Sequence, residues 1–505
     1  MNILRKTGVT DCFLNIAAII VLICTILLSA ITLYQNTEVV LSVKGCSVFV
    51  YLTLLLVIVS VTLYFLIKVD IPKKIYIVLI IITSLIPRLC FVLFVQTPVD
   101  GDFLLIYNAA REVVAGDKSW LENSFFSAWG YQIPFVYYEA FILKLFGSEL
   151  ALKLLNVAFM VVTNVLIYLI AGKCTNSRAA FITAVLYSVY PAPVLLSSVL
   201  TNQHISLMFF MLGIYFYLVN PSWRRALISG IFLFLGNLMR PEAVLIIAAM
   251  LIHAFIGLAG NFKWEYIKNV LSRTLVSVIV FVFLAGVSSI LFKVTGAAPY
   301  GILNNCPEWK FVLGLDTDSK GMYSEKNAYI ITIEDPNMRL REAGKVISAS
   351  FEKCKSIPLF FWEKTKIMWA NMEITSWSLN HIEMSRPVWN EHKDFTYEKA
   401  INNIIYFDKA VYILLHILIF IAGIILLLSP VSKENRAFFL VTLIFINYTT
   451  YLFIEIQTRY RYFIMPSFFI LAALVLHAGE QGCCPKRFLR QKHGWHQTAE
   501  KGRKY

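Results

Sequence analysis

The chain has 505 residues, of which 58% are hydrophobic and only 15% are charged. A soluble fold cannot bury so large an apolar fraction, so the composition excludes a soluble globular protein and predicts an all-α polytopic membrane protein. The formal net charge of +14 does not indicate a nucleic-acid partner, because the basic residues concentrate in short loops and in the C-terminal tail. This distribution indicates the positive-inside rule and contact with anionic lipid.

Apolar stretches long enough to cross a bilayer recur along the chain, at about 20 residues each. We predict twelve spans, at 12–34, 46–68, 75–96, 149–171, 179–200, 204–220, 225–239, 242–258, 274–293, 409–430, 436–455 and 461–479. The first stretch is too long for a signal-peptide core and lacks a small-residue cleavage site, so we predict that it is retained as a span.

The orientation depends on a thirteenth apolar stretch, Gly130 to Gly147. If this stretch lies flat on the membrane surface, the short loops richest in Lys and Arg all fall in the cytoplasm. If it spans, every later loop flips and the positive-inside rule fails repeatedly. We therefore predict an interfacial helix here, a multi-pass cell-membrane protein and two cytoplasmic termini.

This topology places most of the polar residues at span ends on the extracytoplasmic side. Two aspartates, Asp100 and Asp102, follow the third span directly. Carboxylates beside hydrocarbon are costly and are functional candidates by default. Desolvation would suit one of them to act as a general base, and the pair could also bind a divalent metal. Asp102 also precedes a helical pattern and could cap it, whereas the ordinary alternative is a solvated Asp-Gly turn.

Arginines also lie at the predicted outer ends of spans. Arg240 is followed by Pro241 and Glu242, so it could form an internal ion pair with Glu242 or bind a phosphate in a bidentate way. The run from Glu455 to Tyr462 contains Arg459, Tyr460 and Arg461, which suit either a lipid-linked phosphate or interfacial anchoring. We favour the phosphate because arginine on an outer face is not explained by the positive-inside rule.

Three further residues carry predictions. Arg88 lies within the third span, where it could snorkel outward or face the same cavity as the other arginines. Cys306 and Cys354 lie in one long predicted outer segment and could form a disulfide there, although two cysteines do not establish a bridge.

The order of these motifs resembles the GT-C superfamily of glycosyltransferases, and most closely the bacterial protein-mannosyltransferase-like and lipid A aminoarabinose-transferase-like enzymes. The resemblance covers roughly residues 80–479. It is carried by the following motifs: Asp102-Phe-x-x-x-Tyr107-x-x-Ala-Arg111, Tyr131-Gln-x-Pro134, Leu145-Phe-Gly, Gly230 to Glu242 with Leu235-Gly236 and Arg240-Pro241-Glu242, Trp309-x-x-x-x-Gly314-Leu with Gly321, and Glu455-x-Gln-x-Arg459-Tyr460-Arg461 with Pro466.

The resemblance implies a GT-C-like bundle of about twelve transmembrane helices, with an interfacial helix in the first core outer loop and a mixed outer segment before the last three spans. The expected divisions are two additional N-terminal spans at 1–74, a membrane core at 75–293 with its catalytic outer loop at 97–148, an extracytoplasmic segment at 294–408, three C-terminal spans at 409–479, and a basic cytoplasmic tail at 480–505.

The resemblance also implies an activity. A hexose or pentose would move from a polyprenyl-phosphate donor to an extracytoplasmic glycan, lipid or protein, with inversion. Asp102, or less probably by position Asp100, would be the catalytic base. The donor phosphate would be held by Arg240, Arg459 and Arg461, with Tyr460 and Arg88 in the same region. Tyr131 and Gln132 would line the acceptor side.

The sequence departs from the family pattern in one turn. Asn202 and Gln203 stand where relatives often carry an acidic residue, and an amide is neither a base nor a strong metal ligand. We therefore expect no cofactor, and a divalent metal is possible but not favoured. Two alternatives stay open: a transporter or flippase of lipid-linked saccharides, and a polysaccharide polymerase or ligase of another fold.

Overall fold

A computed structural model describes residues 9–42, 46–69, 71–95, 97–219, 222–258, 264–372, 376–379, 397–428 and 436–480. This part of the chain is helical, and the one β contact in it is an isolated antiparallel bridge between Trp129 and Asn304. An all-α polytopic membrane protein is therefore confirmed. The predicted basic tail lies almost wholly outside the described residues.

The helices follow each other through short connections. They are α1 Val9–Ser42, α2 Cys46–Lys68, α3 Lys73–Phe94, α4 Gly101–Ala115, α5 Ser124–Ala128, α6 Ile133–Phe146, α7 Glu149–Cys174, α8 Ser177–Val189, α9 Pro191–Leu196, α10 Gln203–Leu218, α11 Trp223–Met239, α12 Ala243–Leu258, α13 Trp264–Val294, α14 Pro307–Gly314, α15 Pro336–Glu352, α16 Ile357–Thr365, α17 Ser376–Leu379, α18 Tyr397–Leu428, α19 Arg436–Phe453 and α20 Met465–Glu480. Tighter turns at Gly130–Gln132 and Thr458–Phe463 are 3₁₀, and Lys366–Ala370 is a π turn.

Seven helices within the described ranges are long and apolar enough to cross a membrane: Ile16–Ser42, Ser47–Lys68, Lys73–Phe94, Glu149–Cys174, Val270–Val294, Lys399–Leu428 and Arg436–Phe453. Four shorter apolar helices accompany them, at Ser177–Val189, Gln203–Leu218, Ala243–Ile256 and Met465–Glu480. Each predicted span contains a helix, but the count of twelve crossings stays a prediction.

Two predicted spans have different bounds in the structure. The stretch 179–200 is interrupted at Tyr190, whose backbone is extended before Pro191. Proline disfavours a helical conformation in the residue before it, so one helix becomes two. The last helix begins at Met465 rather than at residue 461, because Thr458–Phe463 forms a 3₁₀ turn.

The predicted outer segment 294–408 is shorter than expected, since α18 begins at Tyr397 and its candidate span at Lys399. The described remainder of this segment is built of the helices α14 to α17 and their connections. Cys306, which is buried, and Cys354, which is half-buried, are both free thiols, so the disulfide considered from the sequence is not formed.

The predicted interfacial stretch forms α6, which begins with Pro134 in its first turn and ends at Gly147 in the left-handed conformation. One face of α6 is buried, mainly against α4, and the ring of Tyr137 packs edge-on against Phe292 of α13. The opposite face exposes large apolar side chains, among them Phe141. An amphipathic helix of this kind suits a membrane surface, but its placement in the bilayer stays a prediction.

The predicted additional N-terminal spans pack directly on the rest of the molecule. Helix α1 lies against α18, α19 and the π turn Lys366–Ala370. Its last turns donate a hydrogen bond from Gln35 Nε2 to the Trp362 carbonyl (3.0 Å) and form an ion pair between Glu38 and Lys366 (3.0 Å). Helix α1 thus supports the part of the 294–408 segment that precedes α18.

Candidate active site

The polar segments that the sequence places on one face are in contact at one end of the bundle. The Asn202 side chain donates to Gln132 Oε1 (3.0 Å) and accepts a bond from Arg240 (3.2 Å). The neighbouring Gln203 donates from Nε2 to the Arg459 carbonyl (3.3 Å). Four separate stretches of chain therefore converge on the turn that precedes α10.

The two aspartates have different positions at the start of α4. Asp100 is the N-cap residue, and its carboxylate accepts a hydrogen bond from the Gly101 backbone N–H (2.7 Å). Asp102 lies in the first turn, so the prediction that Asp102 caps the helix is wrong. Both side chains are exposed, in contrast to the desolvation expected from the sequence. Within the described ranges, the Asp102 carboxylate has no hydrogen-bond partner, which leaves it available to a substrate.

Arg459 connects the aspartate loop to the rest of the site. Its guanidinium carbon lies 5.3 Å from the centroid of the Phe103 ring, next to Asp102, and 5.7 Å from the centroid of the Tyr460 ring. Its Nε donates to Gln457 Oε1 (2.6 Å). A guanidinium has five N–H donors in a fixed fork, so these contacts orient the group and leave donors for an anion.

Three cations surround the ring of Tyr460, and we call this group with its two carboxylates the Tyr460 cluster. Arg240 lies 5.7 Å from the ring centroid, Lys310 5.8 Å and Arg459 5.7 Å. The carboxylates are Glu242, which pairs with Arg240 (2.5 Å), and the buried Glu455, which pairs with Lys310. Three positive charges against two negative charges leave an excess of positive charge in a partly buried place, which favours an anionic ligand.

The predicted ion pair between Arg240 and Glu242 is therefore present, and it does not remove Arg240 from the site. The Arg240 side chain is about one-fifth exposed, and its guanidinium also reaches Asn202. Helix α12 begins directly after Glu242, and the Glu242 backbone N–H bonds the Arg240 carbonyl (2.8 Å), which holds this junction as a tight turn.

Lys310 is a member of the cluster that sequence reasoning missed. Burial opposes its charge, but Tyr460 and Glu455 outweigh this effect and raise the pKa of the Lys310 ammonium above its ordinary value. The residue lies in the first turns of α14, directly after Trp309 of the family-like motif. A lysine in a long polar segment has the same sequence signature as a solvated lysine, so the neighbouring Pro307 and Trp309 were the available signal.

Tyr131, predicted on the acceptor side, faces the same cluster. Burial raises the pKa of the Tyr131 hydroxyl above its ordinary value, and the opposing influence comes first from Lys310 and then from Arg240. The residue is positioned by close approach of two loops: a Cβ on Gly130 would collide with the Gly301 carbonyl, and the Asn305 backbone N–H donates to the Ala128 carbonyl (3.0 Å).

Arg461 is directed away from the Tyr460 cluster. It is buried, donates to the carbonyls of Thr458 (3.1 Å) and Asn371 (3.3 Å), and its guanidinium lies 4.6 Å from the Tyr412 ring centroid. Arg88 is fully buried between α3 and α8, where it donates to the carbonyls of Ser84 (2.9 Å) and Ser188 (3.0 Å). It does not snorkel outward, and these bonds hold helices together.

Comparison with known proteins bears on what such a site does. Residues 134–290 match the sequence profile of the dolichyl-phosphate-mannose-protein mannosyltransferase family. The match supports a membrane glycosyltransferase of the GT-C type. It contains Asn202, Arg240 and Glu242 of the converging segments, whereas the GT-C-like motifs at Asp102, Lys310 and Arg459 lie outside it. A comparison with curated proteins gave no match.

Within the described residues, no group of three or more His, Cys, Asp or Glu side chains is arranged to hold a metal ion. The side chains that converge here are instead cations, amides and tyrosines. They can bind a phosphate, orient hydroxyl groups and leave a separate exposed carboxylate to accept a proton.

Proposed function

We propose that this GT-C-type glycosyltransferase moves a sugar from a polyprenyl-phosphate donor to an acceptor outside the cytoplasm. The observation that supports this proposal best is the Tyr460 cluster, which joins three cations beside the loop that carries Asp102. The acceptor class is a cell-envelope glycan, a lipid or a protein. The donor would approach from the bilayer, with its phosphate at the membrane edge and its sugar towards α4.

The donor phosphate would be bound by Arg240, Lys310 and Arg459. When the bond between the sugar C1 and the phosphate oxygen breaks, the electron pair stays on the phosphate, which gains negative charge. A preorganised set of cations stabilises this developing charge more than the ground state, and that difference lowers the barrier. Tyr460 would hold the three cations at similar distances from the leaving oxygen.

Asp102 would be the general base. Its carboxylate would take the proton of the acceptor hydroxyl while the hydroxyl oxygen forms its bond to C1 on the face opposite the phosphate. This displacement inverts the configuration at C1 and balances the reaction: one C–O bond forms, one breaks, and polyprenyl phosphate leaves. Gln132, fixed by Asn202, and Tyr131 would contact acceptor or sugar hydroxyl groups.

The test is transfer of label from a radiolabelled polyprenyl-phosphate sugar pool in membranes that carry the protein. Asp102→Asn should reduce transfer by about 100-fold or more, because a positioned general base contributes about that factor. Asp100→Asn is the matched control, since asparagine caps a helix about as well as aspartate and should retain transfer.

Equal transfer by the wild type and Asp102→Asn would remove Asp102 from catalysis. Loss of transfer in Asp100→Asn alone would assign the base to Asp100. Absence of transfer with any polyprenyl-phosphate sugar, together with movement of a labelled lipid-linked saccharide across the membrane, would favour a flippase.

A further inference from the structure

Lys364 is a buried amine that the proposed chemistry does not use. It lies near the end of α16 with only 1% of its surface exposed. Within the described ranges, its hydrogen bonds go to backbone carbonyls, while Glu455 acts on it through electrostatics alone. A long cationic side chain is rarely buried without a direct carboxylate partner, so this placement calls for an explanation.

The amino group of Lys364 joins the ends of two helices. It donates to the carbonyl of Gly314, the last residue of α14, and to the carbonyl of Ile454 (2.9 Å), the residue that follows α19. The last carbonyls of a helix have no partner within it and carry the negative end of the helix dipole. One lysine therefore satisfies both helix ends at once.

The surrounding backbone is shaped to admit this side chain. A Cβ on Gly321 would lie 2.7 Å from Lys364 Cε, so only glycine leaves room for the lysine there. A Cβ on Gly314 would collide with the backbone of Phe453 and Ile454, which shows how closely the two helix ends approach. Both glycines belong to the motif that begins at Trp309.

The same two helix ends carry the Tyr460 cluster. Helix α14 supplies Lys310, and the chain that leaves α19 supplies Glu455 and then Tyr460. Two backbone hydrogen bonds run alongside the Lys364 contact, from the Glu455 N–H to the Lys310 carbonyl (2.9 Å) and from the Ile456 N–H to the Gly321 carbonyl (2.9 Å). The register between Lys310 and Tyr460 is thus set where Lys364 bonds.

We propose that Lys364 is a positioning residue that fixes Lys310 against Tyr460 by joining the ends of α14 and α19. It touches neither the phosphate nor the sugar and acts through the geometry of Lys310. This inference rests on the proposed function, because it assigns to Lys364 the shape of the phosphate site.

The first measurement is binding of undecaprenyl phosphate to the purified full chain in detergent. Lys364→Met keeps the length of the side chain and removes its donors, and we expect a Kd about tenfold higher. Lys366→Met is the matched control: this lysine is two residues away, pairs with Glu38 and is distant in role from the helix ends. It should bind as the wild type does.

The second measurement is a double-mutant cycle with Lys310→Met. If Lys364 acts through Lys310, the loss caused by Lys364→Met should shrink from about tenfold to less than about twofold once Lys310 is absent. A merely structural role would lower the melting temperature and give the same factor in both backgrounds, which would overturn the proposal.

The outcomes separate the two claims. If the wild type binds no undecaprenyl phosphate, the proposed function fails and this inference with it. If the wild type binds and Lys364→Met binds equally well, the inference alone fails. Should Lys364→Met not fold, the cycle is run with Lys364→Gln, which retains amide donors, and the absence of any coupling to Lys310 would then overturn the proposal.

Discussion

Asn202 is the residue at which the predicted donor and acceptor sides meet. Its Nδ2 donates to Gln132 Oε1 and to the Met239 carbonyl (2.9 Å), while its Oδ1 accepts from Arg240. A carboxylate has no N–H donors and could make only the last of these contacts. The departure from the family pattern therefore has a physical role here: this geometry requires an amide.

Replacement of Asn202 by aspartate should weaken phosphate binding. The new carboxylate would face two oxygens without a proton between them and would compete with the phosphate for Arg240. We expect the Kd for undecaprenyl phosphate to rise about tenfold, the scale of one charge-assisted hydrogen bond. The measurement is direct binding to the purified protein at fixed pH and salt.

Asn156→Asp is the control for this prediction. Asn156 likewise donates to a backbone carbonyl near the same turn, that of Val199 (3.0 Å), but its printed contacts do not reach the Tyr460 cluster. Its replacement should lower the melting temperature and leave the Kd of the folded protein unchanged. Equal affinity of Asn202→Asp and wild type would contradict the role given to the amide.

Sequence reasoning at the residue scale succeeded for side chains whose type and place are both unusual. Arg240, Arg459 and Tyr460 stood out at span ends and lie together in the structure. It could not separate Arg459 from Arg461. These residues lie in a 3₁₀ turn, in which positions two apart point in directions about 120° apart, whereas an extended chain would send both the same way.

At the scale of elements, the meeting of α14 and α19 is sensitive to protonation. Burial lowers the pKa of Lys364 to about 7, opposed by Glu455. The other charged groups near this junction are Lys310 on α14 and the ion pair between Lys320 and Glu363 (3.3 Å). In an unfolded chain a lysine has a pKa of about 10.4.

The stability of the protein should therefore rise with pH in this window. Between the two pKa values the unfolded chain holds the proton and the folded chain does not, so the contribution of Lys364 to the free energy of unfolding increases as pH rises from about 7 to about 10. We expect the melting temperature of the wild type, relative to Lys364→Met, to increase over this range. The same comparison with Lys366→Met should be flat, and a flat difference for Lys364→Met would contradict the prediction.

Hydropathy predicted the helices well and their ends less well. The stretch 179–200 is apolar throughout, so nothing in its hydropathy marks the break, which instead follows from the backbone of Tyr190 before Pro191. Residues 397–408 read as a polar segment, yet they form the first turns of α18, with Asp408 buried. Its carboxylate accepts the Ala192 backbone N–H at the start of α9 (3.0 Å), a contact that no local pattern contains.

At the scale of the whole molecule, the orientation in the membrane stays a prediction that cysteine labelling can test. In a background without the nine native cysteines, Lys345→Cys on α15 and Arg224→Cys at the start of α11 place thiols at exposed positions. A membrane-impermeant maleimide should label Lys345→Cys in intact cells and Arg224→Cys only after permeabilisation, because charged loops follow the positive-inside rule.

Permeabilised cells serve as the control, since both variants should then label equally. The reverse pattern in intact cells would put the Tyr460 cluster in the cytoplasm and overturn the extracytoplasmic acceptor. Labelling of both thiols in intact cells would place α11 and α15 on one side and contradict the role of α6 as a surface helix.

The contacts that build the site join distant parts of the chain. Gln203 and Arg459 are 256 residues apart, and Lys310 and Glu455 are 145 residues apart. During synthesis, the ribosome delivers Asn202 and Arg240 long before their partners, and the last cation arrives only just before α20. A truncated chain can fill the membrane with apolar helices and still have no place for a phosphate. Lipid donor is thus reserved for finished molecules, which protects a scarce carrier from capture by incomplete ones.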